Sequence, residues 1–205
     1  MTSTTSFVKR HIWTLFVAAL LLAGAYTPGI AYADISDPQA GAVTIIGGQQ
    51  SLSNAAAINL KNQNGNDPEW EEDAQVVSDN TAGIVAKDHR GTAAGWYVTV
   101  EATDFVGQGD ISSESIAASN FTAAVVNFVR NSGQAVDAAS GPSVQTAAQT
   151  AIDSPIVLVS AAAGFGMGTY QWDVDYELTI PALQLAGAYQ ATVTYTVYGS
   201  AVPSF

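Results

Sequence analysis

Three carboxylates alternate along one segment near the end of the chain, Asp173, Asp175 and Glu177. Alternate residues of a β-strand point to the same face, so these like charges would lie close together and repel one another. A hard cation such as Ca²⁺ takes carboxylate oxygens and would relieve the repulsion. Because charged side chains mostly stay exposed to solvent, we favour a solvated strand face and predict no metal site.

A second stretch rich in oxygen donors runs from Asn62 to Glu69. Its spacing departs from the Asp-x-Asp-x-Asp-Gly pattern of a calcium loop. Asparagine, glycine, aspartate and proline are also the residues that form turns. We therefore predict an ordinary loop from Lys61 to Asp73, ending in acidic residues around Trp70, and no cofactor.

Few residues are suited to catalysis. His89 is the only histidine after residue 33, and the chain has no cysteine, so a zinc site would need carboxylates beside it. No serine lies in a Gly-x-Ser-x-Gly turn. The 18 acidic residues would allow a pair of glycosidase carboxylates, but no spacing identifies two of them. The glycines at 164, 166 and 168 are not a phosphate loop, because no lysine follows and the next segment alternates as a strand. We predict no catalytic residues and no enzyme activity.

Arg90 lies beside a turn of small residues that runs from Gly91 to Gly95. A guanidinium group presents a rigid fork of donors that fits carboxylates and carbonyl oxygens. We predict that Arg90 holds a strand carbonyl or a carboxylate, either Asp88 or the acidic strand face.

The segment after this turn alternates from Trp96 to Ala102. Trp96, Val98 and Val100 fall on one face, and Tyr97 falls on the other, which is typical of a strand with one buried face. The interpretation we favour is that Trp96 anchors the core. The alternative is that it helps to shape a binding surface.

Short apolar or alternating segments separated by turn residues recur along the chain. We predict strands at 43–46, 51–60, 75–78, 82–87, 96–102, 121–130, 155–159, 170–180 and 189–197. A turn at Asp79-Asn80 would separate the third strand from the fourth. Residues 121–130 have a short helix as the alternative, 144–152 are either strand or helical turn, and 105–115, 131–142, 161–169 and 181–187 are predicted loops. This pattern predicts an all-β fold, an antiparallel β-sandwich or a barrel-like arrangement.

The N-terminus has the features of a secretory signal peptide. A basic group at Lys9 and Arg10 precedes an apolar run from Ile12 to Tyr26, and Ala31-Tyr32-Ala33 forms an Ala-x-Ala cleavage site. We predict a signal peptide at residues 1–33 and one β domain at residues 34–205. The run is too short to predict a membrane span, so an integral membrane protein is not expected.

Residues 34–205 are strongly acidic. Four lysines and arginines remain against 18 acidic residues, which gives a net charge of −14. Phosphate backbones are bound by basic surfaces, so nucleic acid is not an expected partner. The lack of cysteine in an exported chain fits a Gram-positive-type secreted protein.

Two sequence blocks resemble the WxL domain of Gram-positive cell-surface proteins. Trp96-Tyr97-Val98 is similar to the first Trp-x-Leu motif, with valine in place of leucine. The second motif, Tyr-x-x-x-Leu-Thr-Trp-x-Leu, is matched from Tyr189 to Val197, with valine in place of leucine and Tyr195 in place of tryptophan. Pro203 lies two residues later than the proline that usually closes the family's motif.

The resemblance implies a secreted, non-enzymatic protein held non-covalently on the cell wall through peptidoglycan. Other surface proteins of the same system would be further partners. The expected binding surface includes these residues: Trp70, Arg90, Trp96, Tyr97, Val98, Tyr189 and Tyr195. If the motif tryptophan faces the core, loop residues such as Trp70 would make the contact instead. The alternative function is an interaction subunit that assembles with itself or with other surface proteins by strand addition, without binding glycan.

Overall fold

The computed structural model describes residues 45–53, 57–139 and 141–200. The predicted signal peptide and residues 34–44 lie outside this part of the chain. The described residues form β-strands, loops and two 3₁₀ turns, Gly109–Ile111 and Ala118–Asn120. Every strand pair is antiparallel, so the predicted all-β antiparallel class is confirmed.

The described residues form twelve strands in three sheets. The first sheet has the order β1-β2-β10-β6-β8, and its strands are Gln50–Ser53, Gln75–Asp88, Gly168–Ile180, Phe121–Gly133 and Thr150–Ala151. The second has the order β12-β3-β9-β7, with strands Val193–Tyr198, Trp96–Ala102, Ile156–Ala161 and Ser143–Val144. The third has the order β11-β4-β5, with strands Tyr189–Gln190, Phe105–Gly107 and Ser115–Ile116.

The first two sheets pack face to face over one apolar core. Along β10 the predicted alternation is confirmed, because its inward side chains are buried and its outward ones are partly or fully exposed. Its inward residues are Tyr170, Trp172, Val174, Tyr176 and Leu178. Trp96 of β3 contacts Tyr170 across the gap between the sheets, with ring centroids 5.8 Å apart. Burial of such large side chains contributes about 1.5–3 kcal/mol each. Two sheets that pack face to face in this way form a β-sandwich.

The predicted turn at Asp79-Asn80 is wrong. The two strands expected on either side of it are one continuous strand, β2, from Gln75 to Asp88. Asp79 and Asn80 pair in regular register with Tyr176 and Asp175, and the irregularity falls later, at Ala82 and Gly83. The pairing with β10 shifts between Trp172 and Val174, where Gly83 has a φ of 77°. A bulge lets a strand carry extra residues without leaving the sheet, so the sheet overrides the local turn signal.

The predicted strand ends also differ in several places. Residues 45–49 and 57–60 are not strand, and Ile45 is 88% exposed. The expected loop at 105–115 contains β4, and the expected last strand is divided into β11 and β12. The division falls where the pairing partner changes from β4 to β3. Beside it, the Thr103 hydroxyl accepts a hydrogen bond from the Thr192 N–H at 3.0 Å, and the Thr103 N–H donates to the Thr192 carbonyl.

Other predictions are confirmed. Residues 121–130 form a strand, not a helix, and the strand continues to Gly133. The ambiguous segment 144–152 contains parts of two short strands, β7 and β8. Strand β10 pairs Gly168 with Asp88 at one end and Ile180 with Gln75 at the other. Its 13 residues separate the two ends of the sandwich by about 40 Å.

Candidate functional site

Arg90 joins three separated segments at one end of the sandwich. Its Nε and Nη2 donate to the two Asp88 carboxylate oxygens at 2.8 and 2.9 Å. Nη2 also donates to the Gly95 carbonyl at 2.9 Å, and Nη1 donates to the Gly199 carbonyl at 2.5 Å. The predicted clamp on a carboxylate and a carbonyl is therefore confirmed, and the carboxylate is Asp88. With its donors occupied in this way, Arg90 holds the turn before β3 to the end of β12.

Asp88 is only 2% exposed, so the carboxylate of this ion pair lies in a buried position. Burial raises the pKa of the Asp88 carboxyl, but the hydrogen bonds and positive charge of Arg90 outweigh it, so the pKa lies below its ordinary value. The same hydrogen bonds raise the pKa of Arg90. Asp88 therefore remains a carboxylate at neutral pH and serves the fold.

Trp96 lies in the core. It is 1% exposed, and its Nε1 donates to the Gly166 carbonyl at 2.8 Å. Gly166 has a φ of 83°, and a Cβ at this position would overlap the indole ring. Val98, two residues along the strand, is also completely buried. The favoured interpretation of Trp96 as a core anchor agrees with this geometry, and neither side chain reaches a surface ligand here.

Two tyrosines of the predicted binding surface, Tyr97 and Tyr195, lie on β3 and β12. Tyr97 faces away from the core and stacks on Tyr198 with ring centroids 4.4 Å apart. Tyr195 points inward, and its hydroxyl is buried without a hydrogen-bond partner among the described residues. Burial raises the pKa of Tyr195. On these two strands, the stacked pair of Tyr97 and Tyr198 presents the aromatic surface to solvent, and Tyr198 is not predicted from the sequence.

The acidic face of β10 is stabilised by hydrogen bonds. Asp173 accepts one from the Gly83 N–H at 2.8 Å and one from Asn127 Nδ2 at 2.9 Å. Asp175 accepts one from Asn80 Nδ2. These donors relieve the repulsion that suggested a cation, and Asp173 fastens β10 to the bulges of both neighbouring strands. Residues 45–53, 57–139 and 141–200 contain no cluster of three or more potential metal ligands.

A cleft of about 580 Å³ lies at the other end of the sandwich. Its floor includes the apolar side chains Val77, Leu178 and Ile180 at the ends of β2 and β10. Trp70 lines one wall and is 52% exposed. Leu185 and Tyr189 line the other wall. The cleft therefore combines aromatic and aliphatic surface that solvent can reach, which is the usual composition of a ligand site.

Local hydrogen bonds hold both walls in place. On one side, the Asn62 side chain accepts the N–H groups of Asn64 and Asn66, each at 3.0 Å, and fixes the predicted loop. On the other side, the Tyr189 hydroxyl donates to the Leu185 carbonyl and accepts from Gln184 Nε2, both at 2.8 Å. A preorganised wall loses little conformational entropy when a ligand binds.

The cleft has an acidic rim. Asp67 and Glu69 line it, and Glu71, Glu72 and Asp73 follow Trp70 along the loop. Lys61 pairs with Asp67 at 2.5 Å. Among the residues that the structure describes, no basic side chain pairs with the other four carboxylates. The loop beside the cleft consequently carries uncompensated negative charge, of which Glu69 lines the cleft itself.

A family model described as "WxL domain surface cell wall-binding" matches residues 36–201. The chain belongs to the WxL family. No curated protein matches it. One solved structure with a local likeness is that of a family 123 glycoside hydrolase from Clostridium perfringens, described as giving the details of glycolipid glycan hydrolysis. The identity is 13% and the TM-score 0.33 over 63% of this chain and 19% of that chain, so nothing about activity follows from the likeness.

Family membership makes this a surface domain of the cell wall-binding class. Among the described residues, no helix is long and apolar enough to cross a membrane.

The WxL domain divides the predicted binding residues between its two ends. Trp70 and Tyr189, far apart in sequence, line the same cleft. Arg90 and Trp96 lie near the opposite end of β10 from the cleft, beside Asp88 and Tyr170 respectively. Sequence reasoning missed Leu185, Ile58 and Ile180 as lining residues, because only the folded loops bring them together.

Proposed function

We propose that this WxL protein attaches non-covalently to the cell wall by binding peptidoglycan in the cleft between Trp70 and Tyr189. One observation carries the proposal: Trp70 is 52% exposed over a cleft of about 580 Å³, whereas the motif tryptophan Trp96 is 1% exposed. Sugars and peptides both present apolar faces that an exposed indole covers. The predicted export of the protein and its family's description agree with attachment at the surface.

The cleft fits binding better than chemistry. Among the described residues, the one histidine, His89, lies beside Arg90 at the far end of the sandwich and does not line the cleft. Two carboxylates line the cleft, and one of them, Asp67, is already paired with Lys61, whereas glycoside hydrolysis needs two carboxyl groups facing the substrate. We therefore expect attachment without hydrolysis, so the turbidity of a wall suspension stays constant when protein is added.

Co-sedimentation tests the proposal. The full chain is expressed in a Gram-positive host, and the exported protein is pelleted with purified insoluble peptidoglycan. The Trp70→Ala change should weaken binding about tenfold or more, since aromatic anchors at interfaces dominate binding energy. Phe165→Ala is the matched control, because Phe165 is another exposed aromatic residue, 37% exposed, that does not line the cleft.

Two outcomes would contradict the proposal. Wild-type protein that stays in the supernatant would exclude attachment to peptidoglycan. Protein that pellets equally with and without Trp70, but fails when Tyr198 is changed to alanine, would move the site to the stacked tyrosines on β3 and β12.

A second candidate function is assembly by strand addition. Strand β12 is the longest outer strand of the described sheets, and its six residues pair on one side with β3. An outer strand of this length can pair its backbone with another chain. One of its carbonyls, that of Tyr198, already accepts a hydrogen bond from Gln50 Nε2 of β1 at 3.5 Å. Oligomers or captured surface proteins in the absence of wall, abolished by Thr194→Lys, would favour this function. Thr194 faces solvent opposite Glu101, so the lysine should not disturb the monomer.

A further inference from the structure

We infer that the Trp70 cleft selects the amine-bearing peptide stems of peptidoglycan over its neutral glycan strands. The inference rests on the proposed function, because it names which part of the wall occupies the same cleft. Three features of the cleft carry it: the sign of its charge, the chemistry of its exposed ring and the shape of its apolar floor.

The charge of the rim favours a cation. The loop from Lys61 to Asp73 carries five carboxylates and one lysine, and that lysine already pairs with Asp67. Glu69 lines the cleft, and the described residues provide no basic partner for its carboxylate. Its backbone carbonyl accepts a hydrogen bond from Gln75 Nε2 at 2.9 Å, which fixes the residue while leaving the carboxylate available. A neutral glycan would gain nothing from this charge, and an anionic polymer would be repelled by it.

The exposed indole of Trp70 also favours a cationic ligand. An ammonium group is attracted to the face of a tryptophan ring, more strongly than to tyrosine or phenylalanine. Trp70 and Glu69 both line the cleft, so a primary amine bound there would find an aromatic face and a carboxylate in the same site. Exposed tryptophan and acidic residues next to each other form a suitable site for a lysine-like side chain.

The floor of the cleft suits the rest of such a ligand. Ile58, Leu60 and Ile180 are partly buried, pack against the core and line the cleft. A side-chain amine reaches its charge through an aliphatic stem, and such stems lie along apolar surface while the head stays near water. The geometry therefore matches a stem with a charged tip, held in an extended peptide.

Chemically modified walls test the inference. The exported protein is pelleted with untreated peptidoglycan, with peptidoglycan whose amines have been acetylated, and with beads that carry immobilised glycan strands from which an amidase has removed the peptide stems. A lectin that binds N-acetylglucosamine serves as the control for wall integrity. We expect binding to untreated wall only, decreasing as salt rises because exposed charges are screened.

Each of the other outcomes contradicts the proposed function, the inference about amines, or both. No binding to untreated wall would remove the proposed function and this inference with it. Equal binding to acetylated wall would leave the proposed function standing and exclude amine recognition. Binding to stem-free glycan would exclude the peptide as the ligand, again without affecting wall attachment.

A pair of charge variants locates the effect. Glu69→Gln with Glu71→Gln should weaken binding to untreated wall roughly fivefold at low salt, as two exposed charge contacts would. Glu101→Gln with Asp153→Asn removes the same charge from exposed positions that do not line the cleft, and should leave binding within twofold. Equal loss in both pairs would indicate a general charge effect and refute recognition at the cleft.

Discussion

Substitution of the motif tryptophan should damage stability and leave wall binding intact. Trp96 is 1% exposed, contacts Tyr170 at 5.8 Å and donates from Nε1 to the Gly166 carbonyl at 2.8 Å. Replacing a buried tryptophan with alanine costs about 3–5 kcal/mol through lost contacts and a cavity. The phenylalanine variant keeps an aromatic ring but leaves the Gly166 carbonyl unpaired, which costs about 1–3 kcal/mol.

These free energies convert into measurable shifts. For a domain of this size, each kcal/mol lowers Tm by about 2–4 °C, so Trp96→Ala should lose about 6–20 °C. Urea unfolding followed by far-ultraviolet circular dichroism measures the free energy directly. Trp70→Ala is the control, since an exposed indole outside the core should leave Tm within about 2 °C. Co-sedimentation with peptidoglycan is then measured at a temperature where every variant is folded.

The co-sedimentation measurement decides whether the motif tryptophan takes part in wall binding. We expect folded Trp96→Phe protein to bind peptidoglycan with an affinity within twofold of the wild type, because the cleft lies at the other end of β10. A variant that keeps its stability but no longer binds the wall would refute the reasoning. It would show that the motif residue belongs to the ligand site and that the cleft does not act alone.

Two further predictions concern buried polar groups. Because Arg90 keeps the pKa of Asp88 below its ordinary value, Asp88 contributes stability that is present above the pKa of an unfolded aspartate and is lost as pH falls through the lowered folded pKa. Urea unfolding between pH 7 and pH 2 should therefore show a shallower acid loss for Asp88→Asn than for wild type, and an unchanged slope would contradict this. Tyr195→Phe should stabilise the domain or leave it unchanged, since it removes a buried hydroxyl without a partner among the described residues. A loss above about 1 kcal/mol in the same assay would reveal a partner for that hydroxyl.

The strand pattern of the sandwich was predictable from sequence where one face is buried along the whole strand. Alternation gave the register of β10 and of β3, because the core accepts only apolar side chains from those faces. The turn predicted at Asp79-Asn80 failed for a physical reason. Pairing with β10 along the whole of β2 outweighs a local turn preference, and Gly83 absorbs the extra length in a bulge.

The candidate site was predictable only in part. An acidic loop with an exposed tryptophan can be recognised from turn residues and charge, and Trp70 is identifiable on that basis. The role of Tyr189 in the same cleft was not predictable, since the alternation predicts only an inward strand residue there and the two loops come together only in the folded chain. The hydrogen bonds of the acidic β10 face could not be predicted from the sequence either, because the donors Gly83 and Asn127 come from two other strands.

The separation of motif and cleft changes what the WxL signature means for this chain. Trp96, Val98 and Tyr195 point inward, so valine for leucine and tyrosine for tryptophan alter packing rather than a ligand surface. The motif fixes one end of the sandwich, where Arg90 ties β2, β3 and β12 together. Loops at the other end are free of that constraint and carry the charge and the exposed ring. Recognition of the motif therefore transfers the fold, whereas we propose that the composition of residues 61–73 and 181–190 determines which wall polymer the domain holds.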